Sequence, residues 1–189
     1  MKRFLAVLVI LFAATFAFAQ GKGFEPLMAP GDLAVSAGVG YGFFYGAVDV
    51  SGGVELMLGK FMLGDTLPLT YGVAGKASYY KYNYGGWGGG DYYYSFLGAG
   101  GFGTLHLGLK AADLPDGLEF MNNTDWYIGV GAGFYSYHYS YYSDYNEFRV
   151  GLRTVGGVNY FLTPNFAINV EGGYYGGWGG GLIGVTFKL

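Results

Sequence analysis

FAINVEGGYY at 166–175, GGWGG at 176–180 and GLIGVTFKL at 181–189 form the stretch that decides the fold. Phe166, Ile168, Val170 and Tyr174 share one parity, and Asn169, Glu171 and Tyr175 share the other. Alternation of period two marks a strand with one apolar and one polar face, because successive side chains point to opposite sides of a pleated sheet. The returning segment repeats it, with Ile183, Val185, Phe187 and Leu189 alternating with Gly184, Thr186 and Lys188. Together they read as a hairpin. Its connection carries YGGWGGG at 175–181, and the same seven residues stand at 84–90.

Working outward, the same alternation recurs upstream. Leu33, Val35, Ala37, Val39 and Tyr41 alternate with Ala34, Ser36, Gly38 and Gly40 as a first strand. A second at 48–58 sets Val50, Val54, Leu56 and Leu58 against Asp49, Ser51, Glu55 and Met57, and 59–68 reads as its turn. A third at 69–82 sends Leu69, Tyr71, Val73, Ala77 and Tyr79 one way and Thr70, Lys76, Ser78 and Tyr80 the other. The fourth, about 93–109, closes on Leu105, Leu107 and Leu109 opposed to Thr104 and His106, and a polar connection follows at 110–123. In the fifth, Trp126, Ile128, Val130, Ala132 and Phe134 oppose Asp125, Tyr127, Tyr135 and Tyr137. The sixth, about 147–161, alternates Phe148, Val150, Leu152, Val158 and Tyr160 with Glu147, Arg149, Arg153 and Asn159, with a slip of pattern at 154–157. Residues 162–165 make a tight turn into the last hairpin, for eight strands in all. Their length, about ten residues or more, matches a tilted bilayer span.

Composition agrees with strands rather than helices. Aromatic residues make up 21% of the chain, 38 of 189 residues are glycine and only 12% are charged. That is too apolar for disorder and too rich in glycine for stable helices. The N-terminus differs. Lys2 and Arg3 precede an apolar run over 4–18 that ends in Ala17-Phe18-Ala19, the pattern of a secretory signal peptide cleaved before Gln20. A transmembrane anchor is the alternative, but the run is short for a full span. The chain contains no cysteine, so neither disulfides nor a lipid-modified cysteine contribute. Without residues 1–19, eight Lys and Arg face thirteen Asp and Glu, a net charge of −5. Such a chain has no electrostatic reason to bind nucleic acid. Residues 20–30 read as a flexible lead-in and 31–189 as the folded domain.

The distribution of charge chooses the solvent for each face. Leu, Val, Ile, Phe and Trp collect on one face of every strand, whereas Glu55, Lys76, Arg149, Arg153, Glu171 and Lys188 fall on the other, among glycines. That second face is too poor in charge to be a watery exterior. It suits a narrow interior where charges must pair, with glycines leaving room for tyrosines opposite them. The apolar face then meets lipid, and in lipid an open sheet edge is untenable, so the strands must close. The expectation is an all-β, membrane-spanning, antiparallel up-and-down β-barrel of eight strands. A soluble lipocalin-like barrel and a silk-like assembly are the alternatives, and the latter would not hold alternation through eight strands.

With this pattern the chain resembles the small eight-stranded outer-membrane barrels of the OmpA, OmpX and OmpW type. The resemblance covers about 31–189 and is carried most by YFLTPNFAINVEGGYY, similar to a penultimate hairpin of such barrels, and by GLIGVTFKL, similar to their C-terminal assembly signal. Those signals usually end in an aromatic residue, whereas here Phe187 precedes a terminal Leu189. The resemblance implies an outer-membrane location, both ends in the periplasm, and outer-membrane lipid and the barrel assembly machinery as partners. It places the connections at 43–46, 83–92, 139–146 and 176–180 outside.

Three groups are candidate sites. Tyr84, Trp87, Tyr175 and Trp178, in the two YGGWGGG copies, offer exposed aromatic contact area for a surface ligand, or else act as interfacial anchors. The six inner charges form either a structural network or the lining of a gated pore, and eight strands leave no wide channel. His138-Tyr139-Ser140, with Asp144 and Glu147 near in sequence, is similar to the His-x-Ser of outer-membrane lipid A deacylases, although Tyr141 stands where that motif has asparagine. A serine activated by an oriented histidine would there cleave a lipid ester. His106 reads as an interior hydrogen-bonding residue, and two separated histidines without cysteine make no metal set, so neither metal nor cofactor is expected. The reading is a structural or surface-binding barrel without catalysis. A channel for small apolar solutes and a lipid esterase are the alternatives.

Overall fold

The computed structural model describes residues 25–42, 48–63, 67–85, 91–110, 119–140, 144–175 and 179–189. The expected signal peptide at 1–19 lies outside them. Eight long strands are present: β1 (Leu33–Gly42), β2 (Val48–Leu63), β3 (Leu67–Gly85), β4 (Asp91–Lys110), β5 (Thr124–Ser140), β6 (Asp144–Thr163), β7 (Phe166–Tyr175) and β8 (Gly179–Lys188). Each pairs antiparallel with its neighbours in the chain. β1 also pairs with β8, from Ala34↔Lys188 to Gly42↔Gly180, and this closes the ring.

The ring is staggered. Cross-strand partners lead from Gly42 through Gly180, Gly173, Val155, Gly129, Thr104 and Gly72 to Met57, whose N–H donates to the carbonyl of Asp32 at 2.9 Å. One circuit thus returns to β1 ten positions away, from 42 to 32. Such a shear goes with strands inclined at roughly 35–45° to the axis. Alternation then sorts every strand. Val35, Val54, Ile128, Val150, Leu152, Val170 and Ile183 point out and are exposed, with Leu152 at 75%. Thr104, His106, Asp125, Arg153, Asn159, Asn169 and Glu171 point in and are buried.

The two halves of the ring differ in height. The end where β1 finishes and β2 begins is called the upper end here. β7 stops at Tyr175 opposite Arg153, so 144–152 of β6 have no described partner on that side. Pairing of β2 to β3 likewise stops at Asp49↔Tyr80, while β3 continues to Gly85. Between these edges β3, β4, β5 and β6 remain paired up to Gly85↔Asp91, Tyr93↔Ser140 and Ser140↔Asp144. A curved half-wall of four strands therefore rises above the other four. Toward its upper rim the outward side chains are polar, including Lys81, Asn83, Ser95, His138 and Asn146, which fits water on both faces there.

Three local expectations change. Residues 59–63 belong to β2 rather than to a turn, because a bulge between Met57 and Gly59 resets the alternation. The Tyr71 ring lies over Gly59 there, its hydroxyl 2.4 Å from where a Cβ would stand. In β6 no slip occurs at 154–157; the register with β5 is unbroken, and Val155 is an inward apolar residue packed with Ala74, Phe102 and Tyr127. The flexible lead-in is, in its described part, fixed at the base. Glu25 and Pro26 pair with Lys110 and Leu109, Leu27 N–H donates to Gly108 O at 3.0 Å, and Met28 is buried with Ala34, Met57, Phe161 and Ala167. Backbone bonds at Leu27 and Gly31 thus hold the apolar Met28 side chain inside the lower end. Gly31, at φ 92°, supplies the left-handed step from this segment into β1.

Candidate functional site

The lower interior is a polar network assembled from seven strands, β2 to β8. His106 on β4 has Nδ1 at 2.8 Å from Asp125 Oδ2 and Nε2 at 2.9 Å from Glu55 Oε1. Asn159 donates to Asp125 Oδ2 at 3.0 Å, and Asn169 donates to Asn159 Oδ1 at 2.8 Å. The Asn169 amide also reaches the Tyr127 hydroxyl at 3.0 Å, and Thr186 donates to Asn159 Oδ1 at 3.1 Å. Tyr127 donates to Glu171, which Lys76 pairs from across the barrel, and Thr104 donates to Glu55. Burial makes this pairing obligatory, because an unpaired charge in a dry interior costs several kcal/mol.

Of the six inner charges expected, Lys76 and Glu171 form one ion pair, and Glu55 is joined to them by the hydrogen bonds through His106, Asp125 and the asparagines. Arg153, 2% exposed, donates to the carbonyl of Phe134 and lies against glycines. A Cβ at Gly98 would stand 2.7 Å from its Nη2, and one at Gly133 would stand 2.9 Å from its Nε. Inner glycines therefore make room for an arginine as well as for Tyr127, whose hydroxyl would meet a Cβ at Gly157 at 2.6 Å. Lys188 stands apart at the base, 3.2 Å from Asp32 and donating to Leu27 O at 2.8 Å. Arg149 departs from the expectation: it shares the inward parity but sits on the upper part of β6, 58% exposed and paired with Glu147. With no wall opposite, nothing buries it.

Sequence reasoning centred on formal charge left Asp125, Tyr127, Asn159, Asn169, Thr104 and Thr186 out of the network, although inward parity alone marks them. Among the described residues, small spaces remain inside. One of about 20 Å³ lies among Ser36, Ser51, Lys76, Arg153 and Glu171, and one of about 10 Å³ among Glu55, Tyr127, Asn159 and Asn169. Each is the size of a water rather than a solute. Higher up, the concave face of the half-wall is aromatic. Tyr80 stacks on Phe96 at 5.1 Å and 13°, Phe96 on Tyr135 at 6.1 Å, and Tyr94 meets Tyr137 at 5.9 Å.

The loop candidates Trp87 and Trp178 lie outside the described residues. Tyr84 and Tyr175 end β3 and β8's neighbour β7, and only their backbones are described. The three residues of the hydrolase alternative do not assemble. His138 points outward on β5, with Nε2 2.8 Å from the Tyr93 hydroxyl and Nδ1 bonded to Asn146. A neutral ring protonated at Nδ1 satisfies both contacts. Ser140 shares the outward parity, but Glu147, opposite Tyr137, faces inward to Arg149 and cannot orient the histidine. Among the described residues no group of three His, Cys, Asp or Glu is arranged to hold a metal ion.

No family model and no curated protein matches the chain. Solved structures do. The chain is similar to the outer membrane protein OprG of Pseudomonas aeruginosa, at 13% identity over 87% of this chain and 99% of that one, with a TM-score of 0.53. It is also similar to Ail, the attachment invasion locus protein of Yersinia pestis, at 11% identity over 84% and 95% of the two chains, with a TM-score of 0.48. The outer membrane enzyme PagL matches at 15% identity over 82% and 98%, with a TM-score of 0.46. At these identities the likeness is one of fold. With its closed ring of eight antiparallel strands, the chain has the fold of the small eight-stranded outer-membrane β-barrels.

Proposed function

We propose that this chain is an integral outer-membrane protein with a structural or surface-binding role and no catalysis of its own. The observation that carries this reading is the filled interior, where the Lys76–Glu171 and Glu55–His106–Asp125 contacts occupy the enclosed part and the spaces beside them among the described residues measure about 20 and about 10 Å³. A ring with an apolar exterior belongs in lipid, and export by the N-terminal segment with insertion through the C-terminal strand would bring it there. The engaged nitrogens of His138 and the inward Glu147 support a role without ester hydrolysis. The half-wall is the part of the molecule that reaches beyond the apolar belt, and surface binding falls to it and to the loops it carries.

The test is conductance in planar bilayers with purified protein, accompanied by gel migration with and without boiling. A heat-modifiable band and a silent bilayer are expected. Discrete conductance steps in the wild-type protein would favour the channel, and a single band soluble without detergent would remove the membrane barrel altogether.

A further inference from the structure

We propose that the outward face of the half-wall holds the phosphate group of a membrane lipid at a site centred on Lys81 and Tyr93. The proposal rests on the reading of the barrel as membrane-spanning, and it adds a defined ligand chemistry to one place on the wall. Lys81, Ser95, His138 and Asn146 are successive cross-strand neighbours on the outward face of β3, β4, β5 and β6. Tyr93 lies one step higher on β4. The Lys81 ammonium sits 4.3 Å from the centre of the Tyr93 ring. Tyr93 in turn stacks on His138 at 5.0 Å and 22°, and its hydroxyl bonds the His138 ring, whose other nitrogen is bonded to Asn146.

This chain of contacts holds a cation in place. A surface lysine ordinarily loses much rotamer freedom on binding an anion. Here the aromatic platform has already restricted it, while the ammonium retains N–H donors to spend on phosphate oxygens. Among the described residues no carboxylate forms an ion pair with it. Among the described residues, Lys81 is the only Lys, Arg, Asp or Glu at outward positions 79–83 of β3, 93–97 of β4 and 134–140 of β5. The nearest acidic positions on that face are Asp91, four residues further along on the next strand, and Asp144, three strands across. By strand spacing the Asp91 position is roughly 14 Å and the Asp144 position roughly 16 Å from that of Lys81.

Height chooses a lipid over a free anion. Immediately below the row stand Tyr79, Leu97 and Phe148, exposed at 43%, 47% and 64%, and then Phe134 and Val150. The cation therefore caps the apolar belt where a headgroup phosphate meets its acyl chains, in the zone where Tyr and Lys anchor to the interface. Ser95, the cross-strand neighbour of Lys81, supplies a hydroxyl beside it.

The experiment is native mass spectrometry of the full chain in detergent, titrated with dioleoyl phosphatidic acid, dioleoyl phosphatidylcholine or dioleoylglycerol. A one-to-one adduct with the phosphatidic acid is expected, weakened roughly tenfold by Lys81→Gln or Tyr93→Leu and unchanged by Lys60→Gln at the opposite end. Equal loss with Lys60→Gln, or full retention with Lys81→Gln, would overturn the proposal. So would displacement of the lipid by millimolar inorganic phosphate, which would make the site one for free anion. Release of fatty acid would overturn it in favour of an esterase. Each variant is run on a gel with and without boiling: heat-modifiable protein without lipid preference sinks this inference alone, whereas loss of heat-modifiability in the wild type sinks the membrane barrel.

Discussion

Below the level at which β7 and β8 meet, eight strands surround the interior; above it, among the described residues, β3 to β6 continue. The enclosed part is filled with charges and amides, most of them bound to one another, such as Lys76 to Glu171 and His106 to two carboxylates. The half-open part is filled with rings, among them Tyr80, Phe96, Tyr135 and Tyr137, and the ion pair Glu147–Arg149 there leaves the arginine exposed. Enclosure is what separates them. A polar side chain inside a complete ring finds partners across the barrel, and loses heavily if one is removed. A side chain on a single curved sheet has partners only beside it, and ring stacking works well between neighbours.

The largest break in this comparison comes from the enclosed half. Lys76→Met leaves Glu171 buried without its cation, and urea unfolding in lipid vesicles should show a loss of about 3–5 kcal/mol, most of it recovered when Glu171→Leu is added. If the double variant is as unstable as the single, the two residues do not act as a pair. His106→Leu removes the donor between Glu55 and Asp125, and the same assay should register a loss of about 1.5–3 kcal/mol. In the half-wall, Tyr80→Leu removes a stack worth about 0.5–1.5 kcal/mol, and the effect should be local. Amide exchange should quicken at 80–85 and 91–96 while the global midpoint stays put; a shifted midpoint would mean that the two halves unfold as one. The smallest effect belongs to Arg149→Ala, which should leave the midpoint unchanged, because an exposed pair contributes little. Arg153→Ala, four residues further down the same strand, should lower it clearly.

Much of this was legible beforehand. The alternation at 166–175 and 181–189 assigns Ile168, Val170, Ile183 and Val185 to the outside and Asn169, Glu171 and Thr186 to the inside, where they are found. That inference is local, since parity along a strand depends on the pleat alone. The bulge after Met57 was not legible, because a one-residue insertion leaves no mark except a change of phase in a short segment. Nor was the isolation of Arg149 from Arg153. Both residues are arginines of the same parity on β6, and only the end of β7 at Tyr175 decides that one is enclosed and the other is not.

Glu147 makes the same point for the candidate catalytic set. Nearness in the chain to His138 and Ser140 suggested a triad, yet an odd number of steps across the turn puts its carboxylate on the other face of the sheet. By itself the sequence determined the strands, their two faces and the need to close, since those follow from period-two patterning and from the cost of an unpaired edge in lipid. Only the tertiary structure decided the shear of the ring, the unequal heights of its halves and the partners of each inner polar group. Those depend on register between strands, and contacts such as Lys76 to Glu171, 95 residues apart, leave no trace in the local pattern of either strand.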